Sequence, residues 1–267
     1  TVMHSALAEC RASDELIVVD DGSCDGSYEE ACRVAGGRAN VRVVRQENRG
    51  VSAARNQGVR LACHDVVVFL DSDDEILPGA LAEVRTAFAQ PVDFCWSSVL
   101  YQHADGSNRI KRFSNAERLK RPQDYLLGMA SSFCFSIRKS VFDAVGGFDE
   151  NMRSVVDTEL AIRLRQHNYV VIEQPCFQIN TGTSDNQLTR NDVSRIASMR
   201  YMLGKHGDVI RARPFYSHLI LKSLYKCALR ADDADALRLA FFGYIRQRPF
   251  KLKMIASFAA YSLFKMK

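Results

Sequence analysis

The sequence predicts an α/β fold built on a mostly parallel sheet, followed by a C-terminal helical tail. Three short β-branched runs, Leu16 to Val19, Val41 to Val44 and Val66 to Leu70, alternate with stretches of helical length. That alternation is the pattern of βαβ units and a parallel sheet. From Asn191 onward the sequence reads as helix to its end, interrupted near Pro214 and Pro249. A boundary near residue 190 therefore divides an α/β domain, 1–190, from a helical region, 191–267. With 267 residues, 47% hydrophobic and 25% charged, the chain can bury one large core with an appendage.

Each element has its own warrant. Val2 to Ala12 reads as a helix, and Leu16 to Val19 is a strand running straight into Asp20-Asp21-Gly22-Ser23. Asp25 or Ser27 can cap the next helix, which Gly36-Gly37 closes. After the strand Val41 to Val44, a helix over 51–62 carries Arg55 and Asn56. Val66 to Leu70 is a strand buried on both faces, and Leu77 to Phe88 is a helix. Past Pro91 the pattern changes: Val92 to Tyr101 is a longer strand, Asp105-Gly106 a turn, and Arg109 to Phe113 an antiparallel return. Ser132 to Ile137 is strand-like, Arg138 to Ala144 a short helix, and Val155 to about His167 another. Val170 to Ile172 closes the α/β part as a strand.

The chemistry gathers at strand ends. Val66 to Leu70 stops in Asp71-Ser72-Asp73-Asp74, three carboxylates within four residues. Like charges this close repel, and a cation relieves them. Carboxylate oxygens at the open end of a strand suit Mg²⁺ or Mn²⁺, which bind through one or two carboxylates plus substrate phosphates. A solvated acidic turn ahead of the helix opened by Pro78 is the alternative reading of these residues alone. A second acidic strand end, Asp20-Asp21, lies in a neighbouring βαβ unit. Asp157 opens a later helix after Gly146-Gly147.

Five segments together carry a resemblance: ELIVVDDGSCDGS (15–27), NRGVSAARNQG (48–58), VVVFLDSDDEILP (66–78), GGFDE (146–150) and VDTELAIRL (156–164). In order and spacing they resemble the inverting family-2 glycosyltransferases of the GT-A fold, a Rossmann-like nucleotide-diphospho-sugar transferase fold. The resemblance implies transfer of a sugar from a nucleotide-sugar donor, with UDP the first choice, to a hydroxyl on a carbohydrate or lipid-linked acceptor. Bacterial surface polysaccharide or glycolipid assembly is the implied setting.

The same resemblance assigns roles. Asp20 or Asp21 accepts a hydrogen bond from the nucleotide base. Arg55 sits near the nucleotide, where a guanidinium suits phosphate or carbonyl oxygens. Asp71 and Asp73 match the DxD motif and hold Mn²⁺ or Mg²⁺ against the diphosphate, Asp71 also lying at the nucleotide. Asp74 is a secondary member that caps or orients. Asp157 matches the aspartate that deprotonates the acceptor hydroxyl, and its place at the positive end of a helix keeps it ionised near neutral pH. Glu159 is the alternative base. Asn180 stands in a late loop where family members often carry histidine.

The chain also departs from the family. Val156 replaces the glutamate that usually precedes the base. The apolar strand and Pro-x-Tyr-Asn-like loop with which family members begin lie before Thr1. A sheet that truly lacks that strand exposes unpaired edges and part of the nucleotide pocket, and weak or no activity is expected only in that case.

Other classes fit less well. The alternatives are a nucleotidyltransferase-like protein, whose expected Gly-rich phosphate loop DDGS matches poorly, and a catalytically impaired nucleotide-sugar-binding domain, favoured only by the missing first strand and Val156. A glycosidase needs two carboxylates flanking the sugar. A formal charge of +5 suits an anionic partner, but no nucleic-acid module is visible, and no nucleic-acid partner is expected. The eight cysteines are scattered without a CxxC pair, which points to reduced thiols in a cytoplasmic protein. Residues 250–265 are apolar, basic-flanked and free of acid, too short to span a bilayer and suited to an interfacial helix on an anionic membrane surface. That would place the protein on the inner face of the cell membrane; a helix packed on the rest of the protein is the other reading.

Overall fold

The computed structural model describes residues 2–113, 135–181, 191–247 and 258. It divides into two compact units, Thr1–Asn186 and Gln187–Lys267.

The first unit begins with α1 (Val2–Glu9), β1 (Leu16–Asp20), α2 (Ser27–Ala35), β2 (Val41–Arg45) and α3 (Val51–Leu61). β1 and β2 pair in parallel, in register from Leu16 with Val41 to Asp20 with Arg45. Their inner faces and the helices share a small core of Met3, Ala31, Val34 and Ala35, flanked by Val18 and Val43. Next come β3 (Val66–Val68), β4 (Glu75–Ile76), α4 (Ala80–Phe88), β5 (Phe94–His103), β6 (Asn108–Lys111) and β7 (Phe135–Arg138). The unit closes with α5 (Lys139–Ala144), α6 (Val156–Leu164) and β8 (Tyr169–Thr181).

The sheet is mixed rather than mostly parallel. Among the described residues, β1–β2 forms one ladder, and a separate six-stranded sheet runs β3-β7-β5-β8-β4 with β6 on β5. Only β1–β2 and β5–β8 are parallel; β3–β7, β5–β7, β5–β6 and β4–β8 are antiparallel. The cause lies in the connections. No helix separates β5 from β6, so the turn at Asp105-Gly106 returns the chain antiparallel. β7 then inserts between β3 and β5 from the opposite direction.

Three elements differ from their sequence expectation. β3 is only half-buried, not covered on both faces, and Phe69 just past it is the buried residue. The helix expected from Leu77 starts at Ala80, because Glu75–Ile76 is captured as a strand by β8. β8 spans thirteen residues, so Asn180 stands in a strand and not in a loop.

Aromatic packing forms the centre of this unit. Phe69 stacks on Phe135 at 5.9 Å and meets the edge of Phe148 at 5.4 Å. Trp96 packs on Phe135 at 4.7 Å. Each such ring, fully buried, contributes roughly 1.5–3 kcal/mol of hydrophobic stabilisation. Phe69 of this cluster stands two residues before Asp71, and Phe148 lies against the guanidinium of Arg55.

The second unit comprises α7 (Asp192–Lys205), α8 (Gly207–Arg211), α9 (Pro214–Ala231) and α10 (Ala234–Gln247). The Asn191 side chain caps α7 by accepting from Ser194 N at 2.9 Å. Pro214 interrupts the helical run by opening α9 at its first turn, where its missing N–H is harmless. Leu224, Ala228, Leu237 and Ala240 are buried in this unit. Pro249 and most of the apolar tail lie outside the described residues. No helix among the described residues is long and apolar enough to cross a membrane. The seven described cysteines are all free.

Candidate active site

The acidic loop follows β3 directly. Asp74 N donates to Asp71 O at 3.1 Å, closing a tight turn that crowds the three carboxylates. Asp74 is buried and accepts from Asn180 N at 3.2 Å. Burial, reinforced by the charges of Asp71 and Asp73, pushes its pKa up to about 8. Asp73 is exposed, and its carboxylate makes no hydrogen bond or ion pair among the described residues. This is a loop with more negative charge than its surroundings neutralise.

Arg55 reaches the loop from α3. Its Nη2 donates to Asp71 Oδ1 at 2.5 Å, and its Nη1 lies 3.3 Å from Asp157 Oδ1. Its guanidinium also sits over the Phe148 ring, 5.2 Å from the centroid. Burial works against the arginine's charge, and Asp71 and Asp157 more than restore it. One side chain thus ties the strand-end acid, 16 residues further along the sequence, to the helix-start acid, 102 residues further along.

Asp157 lies in the first turn of α6, with 23% of its side chain exposed. Burial raises its pKa to about 6, against the opposing pull of Arg55 and with the help of Asp71's charge. It remains mostly ionised at neutral pH and titrates close to it, which suits a general base. Just before it, Val155 adopts φ +52°, a left-handed conformation that is strained for a β-branched residue.

The first-strand acids are held by backbone and side-chain donors. Asp20 is buried and lies 3.2 Å from Arg45 Nε. Asp21 accepts from Gln46 Nε2 at 2.8 Å, Arg49 N at 2.9 Å and Gly50 N at 2.7 Å. Gly50 has φ +90°, and a Cβ there would run into the Arg153 guanidinium. Glu159 is fully buried, gripped by Arg163 Nε at 3.0 Å and Nη2 at 2.5 Å. Arg163 also donates to Val145 O at 2.5 Å, so this pair anchors the glycine turn before α6.

Sequence reasoning missed the residues that join these parts. Asn56, next to Arg55, hydrogen-bonds Phe148 N and O and Glu150. Glu150 pairs with Arg49 at 2.7 Å. Ser52 Oγ donates to Met152 O at 3.3 Å. Ser52, Arg55 and Asn56 recur at helical spacing, which was the available signal. Among the described residues, no three His, Cys, Asp or Glu side chains form a ready metal cage.

Comparison with known proteins gives this geometry a family. The model of Glycosyl transferase family 2 matches residues 1–146, more than half of the chain. The chain belongs to glycosyl transferase family 2. The match contains Asp20, Asp21, Arg55 and the acidic loop, while Asp157 lies beyond it. An uncharacterized glycosyltransferase, YibD of Escherichia coli, is 40% identical over 78 residues, 29% of this chain and 23% of that protein. The succinoglycan biosynthesis protein ExoU of Rhizobium meliloti is 37% identical over 120 residues, 43% of this chain and 34% of its own. The chain thus spans only 23% and 34% of these curated relatives. Among solved structures, S. aureus TarS 1-349 in complex with UDP-GlcNAc aligns with TM-score 0.61 at 17% identity, covering 94% of this chain and 71% of that one. The likeness shows a shared GT-A-like α/β fold, with the helical C-terminal region included in the coverage.

Proposed function

We propose that this family-2 chain transfers a sugar, with inversion, from a UDP-sugar to a hydroxyl acceptor in bacterial polysaccharide or glycolipid assembly. The single observation that carries the reading is the bridge of Arg55 between Asp71 and Asp157. Asp71 and Asp157 meet one cation there, which supports reading them as the diphosphate-side acid and the base of a single in-line displacement. In that step the acceptor oxygen bonds to the anomeric carbon as the bond to the diphosphate oxygen breaks, and Asp157 takes the acceptor's proton.

A divalent cation fits the acidic loop. Burial, and after it the charges of Asp71 and Asp73, raises the pKa of Asp74, and Asp73 stands exposed. Asp71 and Asp73 would hold Mn²⁺ or Mg²⁺, with Asp74 behind them. Such an ion supplies charge stabilisation to a leaving diphosphate. Arg55 holds Asp71 and Asp157 at a fixed separation, and Asp20 or Asp21 receives the base at the end of β1. The UDP-GlcNAc bound by the TarS neighbour makes that donor the first to test.

The helical region adds a membrane-peripheral role. Sixteen of the chain's 36 Lys and Arg, against five of its 31 Asp and Glu, fall at residues 187–267. That excess favours an anionic leaflet carrying a lipid-linked acceptor.

The test is a thermal-shift panel of nucleotide-sugars with and without Mn²⁺, since a bound donor raises apparent stability. Stabilisation by UDP-sugars that needs both Mn²⁺ and Asp73 supports the reading. Indifference to every nucleotide-sugar overturns it.

A further inference from the structure

β8 carries amides at alternate positions, Gln178 and Asn180, which puts them on one face of the sheet. The parallel register sets Gln102 of β5 opposite Asn180. The three amides form a continuous row that starts at the acidic loop. Asn180 Nδ2 donates to the Asp73 carbonyl at 2.7 Å. Gln178 Nε2 lies 3.0 Å from Asn180 Oδ1 and 2.7 Å from Gln102 Oε1.

The direction of this row is fixed at one end. A backbone carbonyl only accepts, so Asn180 must turn its NH₂ toward Asp73 and its oxygen toward Gln178. Gln178 must then donate to Asn180 and, with its second N–H, to Gln102. Two groups are left at the far end. The NH₂ of Gln102 and the carbonyl oxygen of Gln178 make no hydrogen bond among the described residues. Gln102 is exposed.

We propose that Gln102 and Gln178 form a subsite for two neighbouring sugar hydroxyls, an inference that rests on the nucleotide-sugar reading above. A hydroxyl both donates and accepts, so adjacent hydroxyls match an adjacent NH₂ donor and carbonyl acceptor. Both amides are neutral, which selects against phosphate and suits an uncharged sugar face beside the acidic loop. Gln178 is locked through both of its N–H groups, so its free oxygen is aimed before any ligand arrives. The sugar could belong to the donor or to the acceptor, and the chemistry is the same.

Side-chain NH₂ resonances of the ¹⁵N-labelled chain decide between them. The Gln102 pair is identified by its loss in Gln102→Ala, an exposed position where substitution does not threaten the fold. With Mg²⁺ present, the chain is titrated with UDP, with UDP-GlcNAc and with methyl β-glucoside. Movement of the Gln102 signals with UDP-GlcNAc but not UDP assigns the subsite to the donor sugar. In that case Gln102→Ala lowers UDP-GlcNAc affinity about fivefold relative to UDP, the scale of one hydrogen bond. Movement with the glucoside assigns it to an acceptor sugar. Gln102 signals unmoved by both sugars overturn the subsite. A chain whose spectrum ignores UDP altogether overturns the nucleotide-sugar reading and the donor assignment, while the glucoside titration still decides whether the subsite exists.

Discussion

Asn56 and Phe148 exchange hydrogen bonds in both directions. Phe148 N donates to Asn56 Oδ1 at 2.8 Å, and Asn56 Nδ2 donates to Phe148 O at 2.9 Å. A side chain thereby does what a neighbouring strand would do for an unpaired loop. Gly147 must be glycine for this to work: its φ is +67°, and a Cβ would lie 2.8 Å from Asn56 Oδ1. The loop leading to Asp157 is thus fastened to the helix that carries Arg55.

Asn56→Ala removes both bonds and leaves the Phe148 backbone groups without these partners. A loss of about 2 kcal/mol in stability follows from stranding partly buried polar groups. Chemical denaturation measures it, and an unchanged midpoint would show that water replaces the amide at no cost.

Asp157→Asn keeps the shape of the base and its contact with Arg55 but cannot take a proton. Turnover should fall roughly 100-fold or more, with donor affinity barely changed. In the unsubstituted enzyme kcat should rise with pH through about 6, as the carboxylate forms, and then level off. Near-normal turnover in Asp157→Asn would remove it from the mechanism.

Asp74 gives a stability test with a defined sign. Its pKa is raised from 3.8 to about 8, so the folded state binds a proton that the unfolded state has released. Stability from this group is therefore full below about pH 4 and declines as pH rises toward 8. Asp74→Asn should melt higher than the parent at pH 9 in metal-free buffer, with the difference vanishing at pH 4. Equal midpoints at both pH values would show that Asp74 is not strained by its neighbours.

Much of this was legible in the sequence. The alternation of β-branched runs and helices located β1, α2, β2, α3 and β3, because burial on a repeating pattern is a local signal. The acids sit at strand ends for the same reason. Strand order was not legible: β7 lies between β3 and β5 because of pairings between residues far apart in sequence. The family resemblance places Asn180 in a loop, whereas the alternation of Gln178 and Asn180 is the local signal of the strand β8. Nothing local marked Arg55 as the bridge between Asp71 and Asp157, since its contact with Asp157 spans 102 residues.

Val155→Gly should stabilise the fold by up to about 1 kcal/mol, because it removes a β-branched side chain from a left-handed conformation. The gain is offset in part by the freedom glycine gives the unfolded chain. Thermal melts decide it, and a lower midpoint would mean that Val155's packing outweighs the strain.

The tail is tested by deletion. Removing residues 246–267 should reduce sedimentation with anionic liposomes, and salt should weaken binding of the intact chain. A full-length chain that never sediments would make the tail a packing element.

The separate β1–β2 ladder has a consequence for how the molecule breathes. Its strands share no described hydrogen bond with the six-stranded sheet, and its own core is small. Amides of β1 and β2 should therefore exchange with solvent through a local opening of lower free energy than the one that exposes β5 and β8. The acids Asp20 and Asp21 would then ride on the part of the protein that opens first. A ligand gripping that edge would slow exchange there far more than in the aromatic centre, and the difference in protection would map where it binds.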